Sequence, residues 1–210
     1  AREWVAASLR FDRTGDVSVF ETTTRELGGL RAPHDLSGDS VFLDKAKDLG
    51  RRLAPAFDTP TGIPRGTVSL RDGRARDVSW TGGASVLAEL GSVELEFRHL
   101  GARTGDKAFC DKANRVFETF SGLKGLHGLH PIYVDPGNGA AKSRKYTFGA
   151  LGDSYYEYLL KTWIQGGRTE SRLRRMYDEA MDGMVAQLLQ RSTPSNLAYV
   201  ADLDGPLVHK

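Results

Sequence analysis

The chain has 210 residues, 40% of them hydrophobic and 27% charged, a composition that predicts a globular protein with a sizeable core. The 29 basic and 27 acidic side chains leave a net charge of +2, which is too small to predict a nucleic-acid partner. The single cysteine, Cys110, excludes an internal disulfide, and no apolar run approaches the ~20 residues that a membrane span needs. The chain lacks an initiator Met and a secretion signal, so we expect it to be part of a longer protein.

Two segments of the chain repeat each other. Ser37–Ala46 and Thr104–Ala113 share Gly, Asp, Phe, Asp, Lys and Ala in register, so that Asp39 corresponds to Asp106, 67 residues later. The Gly can close one helix in a left-handed conformation, and the Asp can accept hydrogen bonds from the free amides that open the next helix. Each segment therefore predicts a helix hairpin, and the repeat predicts stacked hairpin units that close into a helical toroid.

A short β segment is predicted after each hairpin. Thr67–Leu70 follows the turn-like Thr61–Pro64, and Ile132–Val134 follows the similar His127–Pro131. Both are too short for a central sheet and are typical of excursions that return the chain to the next helix pair.

The first helix of each unit is predicted to start near Val17, Ser85 and Asp153. Glu21, Glu89 and Asp153 lie close to these starts, so the closed ring would bring three carboxylates to the same mouth. Three acids at one rim suggest chemistry on a sugar. A helix start also favours an anion by itself, so a simple N-terminal helix charge is the alternative for each single acid.

Several stretches, in their order along the chain, resemble those of a known family. They are Val19–Leu30, Leu36–Asp39, Leu53–Phe57 with Thr59–Pro64, and Gly152–Lys161. They resemble glycoside hydrolase family 47, the class I α-1,2-mannosidases, and the likeness runs from about Val17 to Tyr199.

The resemblance implies an all-α fold, an α/α toroid of seven helix pairs in which short β excursions occupy the rim loops. Residues 1–210 would form a single partial domain that supplies about three of the seven pairs. The family resemblance further implies a bound calcium ion and the hydrolysis, with inversion, of terminal α-1,2-linked mannose from high-mannose N-glycans. It also implies a place in the secretory pathway, in the lumen of the endoplasmic reticulum or the Golgi.

Individual roles follow from the same resemblance. Glu21 matches the acid that protonates the leaving oxygen through a water, and Arg25, one turn later on the same helix face, matches its partner. Asp153 matches a second essential carboxylate, assigned either to acid catalysis or to organising the reacting centre. Glu89 matches a carboxylate that binds the sugar in the cleaved subsite. Leu151 matches the Golgi members, in which a leucine opens the pocket to several glycan branches, whereas the segment 163–167 is closer to the reticulum group.

Two features of the chain depart from the family pattern. The general base and the threonine that holds the calcium belong to later helix pairs, so we expect both to lie beyond Lys210 and no metal ligand within this chain. Pro33 should kink or end the first helix, and Arg31 places a charge where the family has a core residue.

Three functions from different classes stay open at this stage. The first is the mannosidase, represented by the N-terminal part of its catalytic domain. The second is a glycan-binding homologue without turnover, in which Arg25 and Glu89 hold mannose. The third is a half-barrel structural subunit whose exposed helix flanks are covered by the rest of the barrel or by other subunits of an assembly.

Aromatic side chains near the predicted rim could stack on pyranose rings. Core packing is the alternative for most of them. They are Trp80, Tyr133, Tyr146, Phe148, Tyr155 and Tyr156.

Overall fold

A computed structural model describes residues 1–209, which form three helix pairs joined by short strands. The helices are α1 (Arg2–Ser8), α2 (Val19–Glu21), α3 (Gly28–Ser37), α4 (Ser40–Leu53), α5 (Leu87–Leu90), α6 (Glu94–Thr104), α7 (Lys107–Gly122), α8 (Asp153–Gln165) and α9 (Ser171–Gln187). The strands are β1 (Asp16–Ser18), β2 (Thr67–Ser69), β3 (Ala75–Arg76), β4 (Ser85–Val86), β5 (Tyr133–Val134), β6 (Lys145–Tyr146), β7 (Leu189–Arg191), β8 (Ala198–Val200), β9 (Asp202–Asp204) and β10 (Leu207–His209). A π-helix (Thr22–Leu27) joins α2 to α3.

The two predicted hairpins are confirmed. α3 ends at Gly38, whose φ of 71° is left-handed, and the Asp39 side chain accepts a hydrogen bond of 3.0 Å from the Val41 amide at the start of α4. The second hairpin repeats this geometry, with Gly105 at φ 70° and the Asp106 carboxylate 3.3 Å from the Ala108 amide. The shared sequence therefore encodes a shared turn between the two helices of a pair.

Antiparallel strands close each unit onto itself. β1 pairs with β2, β4 with β5, and β6 with β9, so each opening strand meets a strand that follows the same helix pair. In the first two units the opening amide of the helix donates to the carbonyl just before the closing strand. Val19 N lies 3.0 Å from Gly66 O, and Leu87 N lies 2.9 Å from Ile132 O. The predicted β excursions are confirmed, and the carbonyls just before β2 and β5 accept the first amides of α2 and α5.

Two of the three predicted helix starts are displaced. Val17 lies in β1 and Ser85 in β4, so α2 begins at Val19 and α5 at Leu87. The residues before these helices are held extended because they pair with β2 and β5. The third prediction is confirmed, since Asp153 is the first residue of α8.

The first helix of the second pair is interrupted. α5 ends at Leu90 and α6 begins at Glu94, with Gly91 between them. A Cβ at Gly91 would overlap the ring of Tyr155 on α8, so only glycine allows these helices to approach so closely.

Pro33 was predicted to kink or end the first helix, and it does not end it, because α3 continues through Pro33 to Ser37. Pro33 removes only one backbone donor, and packing of α3 against α4 supports the turns on either side. Arg31 is nearly buried, with its Nη1 4.0 Å from Glu96 Oε1 on α6. Burial lowers the pKa of Arg31 and raises the pKa of Glu96, so the low-dielectric surroundings act against both charges.

The core lies between the helix pairs. Leu27, Phe97 and Tyr155 from the first helices are fully buried, as are Leu49 and Phe117 from the second helices. Within residues 1–209, no helix combines the length and the apolar character that crossing a bilayer requires.

Candidate active site

Glu21 ends α2 at the rim where the first helices start. Its amide donates to the Ser18 hydroxyl, 3.1 Å away, which caps the helix. Its carboxylate forms a short ion pair with Nε of Arg25, and the two side chains stay 48% and 73% exposed. An exposed carboxylate with a guanidinium holding one of its oxygens is free to meet a ligand with the other.

The π-helix after Glu21 was not predicted from the sequence. Thr22–Leu27 forms a widened turn in which Thr22, Thr23 and Leu27 are buried, while Glu21 and Arg25 face outward. π-helical turns are rare and frequently occur at functional sites. No local signal in this threonine-rich stretch distinguishes it from an ordinary helix.

Glu89 lies next to Glu21 across the boundary between the first two units. It is half-buried in α5, and its pKa is raised, first by burial and second by the negative charge of Glu21. The two carboxyl groups are therefore close enough to repel each other. The concave surface around Glu89 is lined by Val19, Phe20, Pro64, Arg65, Gly66, Ser85, Val86 and Leu90.

Asp153 lies at the exposed start of α8, beside the helix that carries Glu89. Its Oδ1 accepts a hydrogen bond of 2.9 Å from the Ser154 amide. The Ser154 hydroxyl lies 3.2 Å from the carbonyl of Ala88, the residue before Glu89. This direct link between α5 and α8 places Asp153 on the same rim as Glu89.

Leu151 supports this link through its backbone. Its φ of 77° is left-handed, which is strained for a branched side chain, and its carbonyl accepts a hydrogen bond of 2.9 Å from the Ala88 amide. Leu151 thus combines a half-exposed side chain with a backbone bond that ties the third unit to the second.

The structure brings the predicted residues together as a set. α2 contacts α5, and α5 contacts α8, so the helix starts that carry Glu21, Glu89 and Asp153 lie side by side. Trp80, 60% exposed and edge-on to Tyr133 at 6.1 Å, lies beside β4 at this rim. Tyr155 and Tyr156, in contrast, are core residues.

A metal site is not built from the side chains that are described. Within residues 1–209, no three His, Cys, Asp or Glu side chains are grouped so that they could hold a metal ion.

Comparison with known sequences gives the family. The profile of Glycosyl hydrolase family 47 matches residues 1–210. The chain belongs to this family.

Curated and solved members of family 47 agree with the match. The chain is 47% identical over 208 residues to mannosyl-oligosaccharide 1,2-alpha-mannosidase MNS1 of Arabidopsis thaliana, covering 98% of this chain and 37% of that protein. It is 46% identical to the human endoplasmic reticulum mannosyl-oligosaccharide 1,2-alpha-mannosidase, over 97% of this chain and 29% of the relative. An alpha-1,2-mannosidase from Trichoderma reesei superposes with a TM-score of 0.88 at 26% identity, over 99% of this chain and 46% of that one. The chain thus spans about a third of the curated relatives and about half of the solved one.

One buried acid of the family 47 fold escaped the sequence reasoning. Glu94 is fully buried at the start of α6, where its Oε2 accepts a 3.1 Å hydrogen bond from the Val93 amide and its Oε1 has no partner. Burial raises its pKa to about 8. In the sequence, the alternation of Glu94 and Glu96 is typical of an exposed helix start, so nothing indicated that Glu94 is buried. The helix is interrupted between Leu90 and Glu94, and a local pattern does not predict which side chains face inward after such a break.

Proposed function

We propose that the protein containing this chain hydrolyses terminal α-1,2-linked mannose from high-mannose N-glycans with inversion, within a barrel of seven helix pairs. The observation that carries the proposal is the convergence of three rim acids on adjacent helix starts in a family 47 chain. Inverting hydrolysis needs carboxyl groups on both sides of the reacting carbon, with room for a water between them.

Glu21 is proposed as the acid that delivers a proton to the leaving oxygen through a water. Arg25 orients its carboxylate, because their ion pair fixes one oxygen and leaves the other free. Asp153 lies at the exposed end of α8, where it can organise the reacting centre or take part in proton transfer.

Substrate binding is assigned to groups beside these acids. Glu89 is half-buried beside Glu21, where its carboxyl group can form hydrogen bonds with sugar hydroxyls. Leu151 contributes the apolar edge that sets access for different branches. Trp80 offers an exposed ring for stacking on a pyranose face.

Calcium is proposed as the cofactor of the whole protein. The described residues 1–209 do not fit the ion, since no group of metal-binding side chains is present among them. We expect its protein ligand, like the general base, to lie beyond Lys210, and none of the steps above depends on the ion. The proposed site of action is the lumen of the endoplasmic reticulum or the Golgi, with the high-mannose N-glycan as partner, no nucleic-acid partner, and either the rest of the barrel or other subunits covering the open flanks.

The acid assignment is tested by Glu21→Gln in the full-length protein with Man-α-1,2-Man as substrate. We expect turnover to fall ~10²-fold or more, because the amide keeps the shape but cannot donate the acid proton. Glu26→Gln is the matched control, since Glu26 is exposed on the same helix and should leave turnover unchanged. Proton NMR of the first mannose released reports its anomeric configuration.

Each result separates the candidate functions. A fully active Glu21→Gln protein would remove Glu21 from the role of acid, and retention of configuration would reject the inverting mechanism. A full-length protein that binds the disaccharide without releasing mannose would instead be a glycan-binding homologue. A protein that neither binds nor cleaves it would have a structural role.

A further inference from the structure

The backbone turn that leads into α8 is organised by one buried threonine. Thr147 is 2% exposed, and its hydroxyl donates a short hydrogen bond to Oδ1 of Asp202. The hydroxyl oxygen of Thr147 also accepts a hydrogen bond of 2.7 Å from the Gly149 amide. The Thr147 hydroxyl therefore donates its hydrogen to the Asp202 carboxylate and accepts a hydrogen bond from the turn at Gly149.

The Gly149 carbonyl carries the arrangement on to Asp153. It accepts the amide of Gly152 at 3.1 Å and the amide of Asp153 at 3.0 Å. A Cβ at Gly152 would overlap the Thr147 carbonyl oxygen, so the turn is closed tightly around this threonine. The first amide of α8 is thereby tied to a hydrogen-bond chain that begins at Asp202.

Asp202 reaches this turn from the far end of the third unit. β6 pairs with β9 through Lys145 with Asp204 and Tyr146 with Leu203, so continuing the register by one residue sets Thr147 opposite Asp202. Lys145 Nζ lies 2.8 Å from Asp202 Oδ2. Burial acts to raise the pKa of Asp202, but hydrogen bonds from Lys145 and Thr147 outweigh it and lower the pKa. Asp202 is thus an ionised acceptor at neutral pH.

We propose that Asp202 and Thr147 are positioning residues that set the place of the Asp153 carboxylate at the rim. The proposal rests on the proposed function, in which Asp153 acts at the reacting centre. A series of hydrogen bonds runs from Asp202 through the Thr147 hydroxyl to Gly149, whose carbonyl holds the Asp153 amide. The Leu151 carbonyl, within the same turn, holds this segment against α5, the helix that carries Glu89.

Loss of the hydroxyl should therefore act on the chemical step. Thr147→Val keeps the shape but leaves the Gly149 amide without its acceptor and Oδ1 of Asp202 without its donor, while Lys145 still pairs with Oδ2. Displacing a catalytic group by about 1 Å can cost up to ~10²-fold in rate. In the full-length protein we expect kcat to fall about tenfold with KM changed less than about twofold, because Asp153 is moved while Glu89 and Trp80, which belong to the second unit, stay in place.

Two comparison variants separate positioning from stability. Thr147→Ser retains the hydroxyl and should restore kcat to within about threefold of the wild type. Thr119→Val is the matched control, since it removes a half-buried threonine hydroxyl, 2.6 Å from the Thr61 carbonyl, on a helix that does not lead to the rim acids. It should lower the melting temperature as Thr147→Val does while leaving kcat unchanged.

The proposal is overturned if Thr147→Val keeps wild-type kcat, or if Thr119→Val loses as much. Should Thr147→Val fail to fold, Asp202→Ala gives the same test at a position whose side chain is 34% exposed. Unchanged kcat in a folded Asp202→Ala protein would then reject the proposal. A wild-type protein without hydrolysis, or a fully active Asp153→Asn, would reject the proposed function, whereas an active wild type with an insensitive Thr147→Val rejects the positioning role alone.

Discussion

Glu94 is a carboxyl group with no access to water at the centre of a helical layer. Ser92, two residues earlier, and Tyr155, whose phenol interacts electrostatically with Glu94, each have a buried oxygen without a hydrogen-bond partner. Tyr155, on α8, has its own pKa raised by burial and, less strongly, by the nearby charges of Tyr156 and Glu94. A neutral Glu94 is favoured here because its proton gives the group a donor that the surrounding oxygens can accept.

The stability of the protein should consequently depend on pH through this residue. The pKa of Glu94 rises from 4.5 to about 8 on folding, so its contribution is complete below pH 4.5 and is lost as pH rises toward 8. Glu94→Gln removes this titration, and we expect it to be more stable than the wild type at pH 8 by on the order of 5 kcal/mol, since one pKa unit corresponds to about 1.4 kcal/mol. Urea denaturation at pH 5 and pH 8 measures the difference.

An exposed acid serves as control for this measurement. Glu157 on α8 pairs with Lys161 at the surface and is half-exposed, so Glu157→Gln should leave the pH dependence of the unfolding free energy as it is in the wild type. The assignment of the effect to Glu94 is contradicted if Glu94→Gln and the wild type lose stability in parallel between pH 5 and pH 8.

The capping side chains of the two hairpins, Asp39 and Asp106, should each contribute to the stability of the protein. Asp106→Ala deprives the Ala108 amide of its acceptor, and we expect it to destabilise the protein by about 1 kcal/mol. Asp39→Ala should cost at least as much, since Asp39 also bonds to Arg2 at 2.7 Å. Thermal unfolding of both variants beside the wild type measures these differences.

Asparagine at the same sites separates capping from charge. Asn caps a helix about as well as Asp, so Asp106→Asn should retain nearly all of the stability. If Asp106→Asn is destabilised as much as Asp106→Ala, the side chain acts through its charge at the helix start and not through the hydrogen bond.

The sequence could predict those elements that are specified by residues adjacent in the chain. Gly38 and Asp39 specify their turn with two residues, so the hairpins were found from a six-residue match. The π-helix at Thr22–Leu27 and the passage of α3 through Pro33 depend instead on packing against neighbouring helices. The same holds for the candidate site: the positions of the acids followed from the repeat, whereas the Thr147 and Asp202 arrangement requires a strand register across more than fifty residues.

On the scale of the whole molecule, exposed apolar side chains concentrate in the third unit. Of the ten large ones, six lie within residues 185–208: Val185, Leu189, Leu197, Val200, Leu207 and Val208. Exposed apolar surface of this kind is typical of an interaction surface. We expect the 210-residue chain by itself to self-associate, and to show neither tight calcium binding nor mannose release.

Sedimentation velocity over a range of concentrations measures this association. The double variant Val185→Lys with Val208→Lys should shift the chain toward monomer, because charge at these two exposed positions opposes their burial between copies. Trp4→Lys, at an exposed position on α1, should have little effect. A monodisperse, inactive wild-type monomer would contradict the association and favour the structural-subunit function.

The pairing of strands within units has a consequence for synthesis on the ribosome. β1 meets β2, and β4 meets β5, before any residue of the following unit is needed, so both sheets can close while the rest of the chain is still being made. The polar links between units, among them the bonds from Ser85 to the Pro64 carbonyl and from Ala88 to the Leu151 carbonyl, form only after the later unit has been made. Folding can therefore proceed from the N-terminus in unit-sized steps, and the rim acids meet only when α8 emerges.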